Sequence, residues 1–182
     1  MILPIYLYGN PVLRKKSIDI DKDYANLNEI INNMFETMYK SDGIGLAAPQ
    51  IGLNINLITI DARVLAKDEP EMKDFLRVFI NPKITFNTED TIAIEEGCLS
   101  LPSINEDVDR IENLTIEYYD RDFNKVTENL IGYPAIIVQH EYDHLNGIVF
   151  IDRISTIRKR FIKNKLNNIT KGKVATSYKV KL

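Results

Sequence analysis

The sequence predicts one α+β domain of 182 residues, in which mixed or antiparallel β-sheets pack around a central helix. Residues 25–40 repeat apolar side chains with the 3.6-residue period of an amphipathic helix. Several short segments alternate apolar and polar residues, as half-buried strands do. A further helical pattern covers about 155–168, near the C-terminus. We therefore expect a helix near each end of the chain and a sheet-rich middle.

The first helix is expected to follow a capping region at Asp21 and Asp23. Its apolar face is formed by Leu27, Ile30, Ile31, Met34, Phe35 and Met38. The C-terminal helix carries an apolar stripe that should lie on the body of the protein. That stripe consists of Ile157, Phe161, Ile162, Leu166 and Ile169.

Strands are predicted between the helices, with β-branched alternation in several of them. The predicted ranges are 55–60, 77–81, 91–96, 113–119 and 126–131. Asp120 to Lys125 is typical of a hairpin turn. The acidic stretch 62–74 is expected to be a solvated surface loop, and the alternation in 174–180 indicates a further strand.

Composition predicts a cytoplasmic protein with no membrane or DNA partner. Hydrophobic residues make up 45% of the chain, but no apolar run is long enough to span a bilayer. No basic residue precedes the short apolar run at the N-terminus, which argues against a signal peptide. A single cysteine is typical of a reducing compartment.

The most informative segment is the HExxH sequence at 140–144, which contains both histidines of the chain. Pro134 suits the first turn of a helix and Gly147 suits the residue just past its end. On that helix, His140 and His144 lie one turn apart on one face and can bind a single ion. Glu141 is then placed beside the ion as a proton acceptor.

The third ligand has to come from upstream, because residues 145–182 contain no His, Cys or Glu. Cys98 is the only soft donor in the chain. One cysteine with two histidines leaves a coordination position open for water, as catalytic sites do. This ligand set suits zinc, although the ligands alone do not identify the ion.

Three motifs then resemble the peptide deformylase family, in that family's order and roughly its spacing. They are GIGLAAPQ at 43–50, EGCLS at 96–100 and QHEYDH at 139–144, and the opening at 3–14 is also similar. Together they cover residues 1 to about 155. Each motif alone is moderate evidence, whereas the combination is highly specific.

This resemblance implies hydrolysis of the formyl group from the formylmethionine of nascent polypeptides, with release of formate. A metal-bound hydroxide would attack the formyl carbon, and Glu141 would serve as general base and then general acid. The Gln50 side-chain amide and the Leu99 backbone N–H would stabilise the oxyanion. The resemblance points to Fe²⁺ as the usual ion, with Zn²⁺, Ni²⁺ or Co²⁺ as substitutes.

Gly43 and Gly45 are interpreted as points of close backbone approach to an extended peptide, which would add as a strand along 43–46. An apolar pocket for the methionine side chain is proposed from Ile44, Leu99, Tyr133 and Ile137. Ordinary core packing is the alternative for these four residues.

The other nitrogen of a ligating histidine normally donates to a carboxylate or carbonyl. Glu95, Glu96 and Asp143 are candidates, and the resemblance favours Glu96, paired with Arg110. Asn105 and Ser103 depart from the family pattern and leave the finer substrate preference open.

Residues 145–182 hold ten Lys or Arg against one acidic residue, Asp152. This basic tail, about 155–182, is interpreted either as a solvated helix face or as a contact to ribosomal RNA. Two other classes compete with the deformylase: a small HExxH protease, which would need a downstream ligand, and a metal-stapled binding module, which would need four protein ligands.

Overall fold

Three α-helices and nine β-strands form the fold in the computed structural model, which describes residues 1–182. The helices are α1 (Leu27–Lys40), α2 (Tyr133–Leu145) and α3 (Thr156–Thr170). The strands are β1 (Ile5–Tyr6), β2 (Gly45–Ala47), β3 (Leu57–Asp61), β4 (Leu76–Phe86), β5 (Thr91–Cys98), β6 (Leu101–Ile111), β7 (Asn113–Tyr119), β8 (Lys125–Ile131) and β9 (Val180–Lys181). The predicted α+β class is confirmed.

The strands form three sheets. Five of them make an antiparallel sheet in the order β2-β3-β4-β7-β8, so that β2 is an edge strand. Strands β5 and β6 form an antiparallel hairpin, and β1 pairs in parallel with β9. The predicted turn at 120–125 joins β7 to β8, which pair from Tyr119 opposite Lys125.

Helix α2 lies at the centre, packed against the strands on which the site depends. Pro134 occupies its first turn, and Gly147 takes a φ of +72° just beyond its end, as the sequence predicts. Its apolar residues Ala135 and Val138 share a core with Ile58 and Phe79 of the five-stranded sheet. The helix also packs on β2 and β6, so it connects the large sheet to the β5–β6 hairpin.

Several boundaries differ from the prediction. Strand β6 was not predicted at all, because two of its inward-facing residues, Glu106 and Arg110, are charged and hide the alternation. Helix α1 begins after Asn26, a left-handed residue without a side-chain cap, and the Asp21 side chain accepts from the Asp23 N–H in the preceding turn.

The stretch 62–74 is only in part the solvated loop that the sequence predicts. It contains two 3₁₀ turns, Arg63–Leu65 and Pro70–Asp74, and Met72 is fully buried in the main core. Ala62 and Met72 anchor the stretch in the core, while most of its other residues, Val64 included, are exposed.

The predicted apolar stripe of the C-terminal helix is wrong in part. Ile162 and Ile169 are buried and Leu166 is half-buried, but Ile157 and Phe161 are 65% and 74% exposed. Beyond α3, pairing is limited to β9 and does not begin at 174. None of the helices combines the length and apolarity that crossing a bilayer requires.

Candidate metal centre

The three predicted metal ligands meet at one point. Cys98 ends β5, while His140 and His144 lie one turn apart on α2. One donor atom from each lies within 4.8 Å of the others, and the Cys98 Sγ is 3.3 Å from the His144 Nε2. The β5–β6 hairpin thus brings the distant cysteine onto the helix face that carries both imidazoles.

This donor set fits a divalent transition-metal ion. Bonds of about 2.3 Å to sulfur and about 2.0–2.1 Å to nitrogen around a tetrahedral ion separate those donors by roughly 3.6 Å. The observed Cys98–His144 spacing of 3.3 Å is close to that value. Three protein ligands leave one tetrahedral position for water or substrate.

His140 is oriented by a buried ionic network. Its Nδ1 donates to the Glu96 carboxylate at 2.7 Å, which leaves Nε2 to face the metal position. Arg110, 1% exposed, donates to Glu96 through Nε at 2.6 Å and Nη2 at 3.0 Å, and to Asp143 through Nη1 at 2.6 Å. Burial alone would raise the pKa of Glu96, but the hydrogen bonds from Arg110 and His140 lower it to about 2. The carboxylate therefore stays ionised and holds the imidazole.

The two other carboxylates predicted as candidates to orient the histidine make different hydrogen bonds. Asp143 accepts from Arg110 and from Arg153, whose Nε lies 2.6 Å away. Glu95 is exposed and accepts from the Asn105 amide at 3.4 Å.

Glu141 is buried beside the metal position, with one carboxylate oxygen, Oε2, that has no hydrogen-bond partner. Burial raises its pKa to about 7. A Cβ at residue 45 would lie 2.9 Å from the Glu141 carboxyl carbon, so glycine there lets the carboxyl group keep this position. A carboxyl group whose pKa is close to neutral pH is suited to accept and return a proton.

Gln50 points its amide nitrogen into the site. Its Oε1 accepts from the Ala47 N–H at 2.9 Å, which fixes the orientation of the amide. The Nε2 then faces the Ser100 hydroxyl at 3.2 Å and the Cys98 sulfur at 3.6 Å.

Leu99 lies in the two-residue turn between β5 and β6. Its backbone N–H makes no hydrogen bond to another protein atom. The turn therefore presents a free donor next to the candidate metal ligand Cys98.

A cavity of about 460 Å³ opens over these groups. It is lined by all the predicted substrate-binding residues, namely Gly43, Ile44, Gly45, Leu99, Tyr133 and Ile137. Sequence reasoning did not assign Ile136 to the pocket, although it shares the helical face of Tyr133. It also missed the C-terminal segment Ala175–Tyr178, which lines the cavity and for which the sequence carries no local signal.

The chain matches known proteins over most of its length. A model of the polypeptide deformylase family matches residues 2–160. The peptide deformylase of Christiangramia forsetii is 50% identical, over 100% of this chain and 96% of the relative. That of Flavobacterium psychrophilum is also 50% identical, over 100% and 97%.

Solved structures agree. The peptide deformylase of Plasmodium falciparum superposes with a TM-score of 0.83 at 37% identity, covering 92% of this chain and 95% of that one. The peptide deformylase of Thermus thermophilus gives 0.83 at 36% identity, covering 94% and 99%. On the family match and these identities, the chain belongs to the polypeptide deformylase family of metallohydrolases.

Proposed function

We propose that this protein hydrolyses the formyl group from the formylmethionine of nascent polypeptides, with Cys98, His140 and His144 holding one divalent ion. The observation that carries the proposal is Glu141: a buried carboxyl group with an unpartnered oxygen beside three converging metal donors. A divalent ion bound there would lower the pKa of a coordinated water to about 7. Glu141 accepts the proton from the nucleophile and returns it to the departing amine.

Gln50 and Leu99 stabilise the charge that develops on the formyl oxygen. Both present N–H groups beside Cys98, and both are held in advance, Gln50 through the Ala47 N–H and Leu99 through its turn. Donors fixed before the reaction need no reorganisation when the oxyanion forms.

The peptide lies between two sheets. Strand β2 is the free edge of the large sheet, and Gly43–Gly45 line one side of the cavity while Ile94–Leu99 of the hairpin line the other. Main-chain hydrogen bonds along β2 bind an extended chain without reading its sequence. The methionine side chain enters the apolar surface of Ile44, Leu99, Tyr133 and Ile137, which Ile136 extends.

The experiment is formate release from formyl-Met-Ala-Ser by protein purified without oxygen and loaded with Fe²⁺ or Ni²⁺. Glu141→Ala should lower turnover by about 10²–10⁴. Glu117→Ala, which removes an exposed carboxylate paired with Lys125, is the matched control and should match the wild type. Cleavage of unblocked peptides with no formate release would instead make the protein a protease.

Fe²⁺ is the proposed ion in the cell, since the family resemblance favours it although Cys-His₂ donors also suit Zn²⁺. Metal analysis after anaerobic purification should find iron at one ion per chain. Protein that contains stoichiometric zinc and no iron under those conditions would contradict this assignment.

The outer face of α3 is proposed to contact ribosomal RNA in the cytoplasm. Arg158, Lys159 and Lys165 hydrogen-bond to the body of the protein, whereas Arg160 and Lys163 are exposed beside Phe161. The double variant Arg160→Glu, Lys163→Glu should abolish co-sedimentation with ribosomes at low salt. Each basic side chain that contacts a phosphate releases counterions and so contributes to binding, whereas a glutamate repels the phosphate. Undiminished co-sedimentation would refute the contact.

A further inference from the structure

The C-terminal segment returns from α3 to the catalytic cleft. Helix α3 ends at Thr170, and Gly172 takes a φ of +66°, which lets the chain reverse direction. The following residues reach the site, where Ala175–Tyr178 line the same cavity as Cys98 and Leu99. The family model matches residues 2–160, whereas the relatives that are 50% identical match the whole chain, this segment included.

The returning segment is fixed to the start of the chain. The Ile5 N–H donates to the Lys179 carbonyl at 2.9 Å, and the Leu7 N–H donates to the Lys181 carbonyl at 2.8 Å. The Lys181 ammonium also lies 5.1 Å from the centre of the Tyr6 ring. Residues 5–8 and 178–181 therefore form one unit, which we name the terminal clamp.

The terminal clamp holds the turn between β5 and β6 by two consecutive carbonyls. The Tyr8 N–H donates to the Ser100 carbonyl at 2.8 Å. The Tyr178 hydroxyl donates to the Leu99 carbonyl, also at 2.8 Å. Each chain end thus contributes one hydrogen bond to a two-residue turn that carries the free Leu99 N–H.

We propose that Tyr178 is a positioning residue for deformylation, acting through Leu99. Its hydroxyl fixes the Leu99 carbonyl and thereby limits rotation of the turn, so the Leu99 N–H stays directed at the formyl oxygen. This inference rests on the proposed function. Tyr178 need not touch substrate to act in this way, since the geometry of an oxyanion donor decides how much it contributes.

The test is the kinetics of Tyr178→Phe on formyl-Met-Ala-Ser with the metal-loaded, full-length protein. Losing a whole oxyanion donor costs about 10²–10³ in rate, so loosening one should lower kcat by roughly tenfold. KM should change less than twofold, because the variant leaves the cleft walls intact. The matched control is Tyr118→Phe, which removes the hydroxyl that a buried tyrosine outside the cavity lining donates to Glu128; its kcat should equal that of the wild type.

Thermal unfolding of the same proteins separates positioning from simple stabilisation. Tyr178→Phe that is fully folded at the assay temperature and slow in kcat supports the proposal. A kcat equal to the wild type, an equal loss in Tyr118→Phe, or a loss that follows the unfolded fraction would overturn it.

If Tyr178→Phe does not fold, Thr176→Val replaces it, because this variant removes only the hydrogen bond to the Tyr178 carbonyl. It should lower kcat but not KM, and an unchanged kcat would overturn the proposal. Wild-type protein that releases no formate would reject the proposed function itself.

Discussion

Helices α2 and α3 are of similar length, but the protein uses them in opposite ways. Ten of the 13 residues of α2 are buried, including the charged Glu141 and Asp143. Only two of the 15 residues of α3 are buried, and its other side chains are mostly basic or polar. Helix α2 is enclosed by sheet, hairpin and ionic network, whereas α3 is attached along one narrow face.

The difference indicates where this fold tolerates change. In α2 the buried Asp143 is held by Arg110 and Arg153, so removal of a partner leaves its charge uncompensated, whereas Glu141 is buried with an unpartnered oxygen. In α3 most substitutions exchange one solvated side chain for another. We therefore expect large, specific effects around α2 and small effects on most of α3.

Removing Arg110 should give the largest loss of stability. The variant Arg110→Met leaves Glu96 and Asp143 buried without their shared cation, which typically costs about 3–5 kcal/mol. Urea unfolding measures this change. The control is Arg153→Met, which removes the other partner of Asp143, a side chain 42% exposed, and should cost no more than about 1 kcal/mol. Equal losses in the two variants would mean that the burial of the arginine does not determine how much stability its removal costs.

Glu141 should destabilise the metal-free protein above neutral pH. Its pKa is about 7 in the folded chain against an ordinary 4.5, so folding holds the proton more tightly. The cost is absent below pH 4.5, grows between 4.5 and 7, and is complete above 7, at about 3 kcal/mol. Metal-free Glu141→Gln should therefore be more stable than the wild type at pH 8.

The pH dependence is its own control, since the two proteins should unfold at the same urea concentration near pH 4. A stability difference that is constant from pH 4 to 8 would show that folding does not raise the pKa of Glu141. Activity plays no part in this measurement.

Gly45→Ala tests how closely α2 is enclosed. The new Cβ would push the Glu141 carboxyl group away, and a displacement of about 1 Å can cost roughly 10²-fold in rate. Gly43→Ala is the comparison, because its Cβ would meet the Leu99 Cδ1 at 2.8 Å, the end of a side chain that can move. Turnover of formyl-Met-Ala-Ser should fall far more in the first variant. Similar losses would place the constraint in the peptide-binding edge and not at Glu141.

The sequence predicted the parts of the fold whose apolar pattern is local. Helix α1, strand β7 and the turn before β8 lie where periodicity and turn residues placed them. Strand β6 could not be predicted, because Glu106 and Arg110 point inward to partners that are distant in sequence. The burial of Met72 also depends on residues that are distant in sequence, since it packs against the large sheet. Its acidic neighbours make the local sequence look solvated.

For the site, the motifs predicted which residues converge and that Glu96 and Arg110 lie behind the histidine, but not the contacts that the chain ends make. Cys98, His140 and His144 meet as expected, and Glu96 pairs with both His140 and Arg110. The hydroxyl of Tyr178 reaches Leu99 from 79 positions away along the chain, and no periodicity or motif encodes that contact. Contacts made by a returning chain end depend on the whole fold.

The smallest expected effect distinguishes the two faces of α3. Phe161→Ser removes an aromatic ring that is 74% exposed, so the free energy of unfolding should change by less than about 0.5 kcal/mol. Ile162→Ala, one position further on, empties a buried site between α3 and β6 and should cost about 2–5 kcal/mol. Urea unfolding of both variants makes the comparison. A loss of several kcal/mol in Phe161→Ser would mean that another molecule covers this face of α3 in solution. Helices α2 and α3 would then both be buried, and would differ only in what buries them.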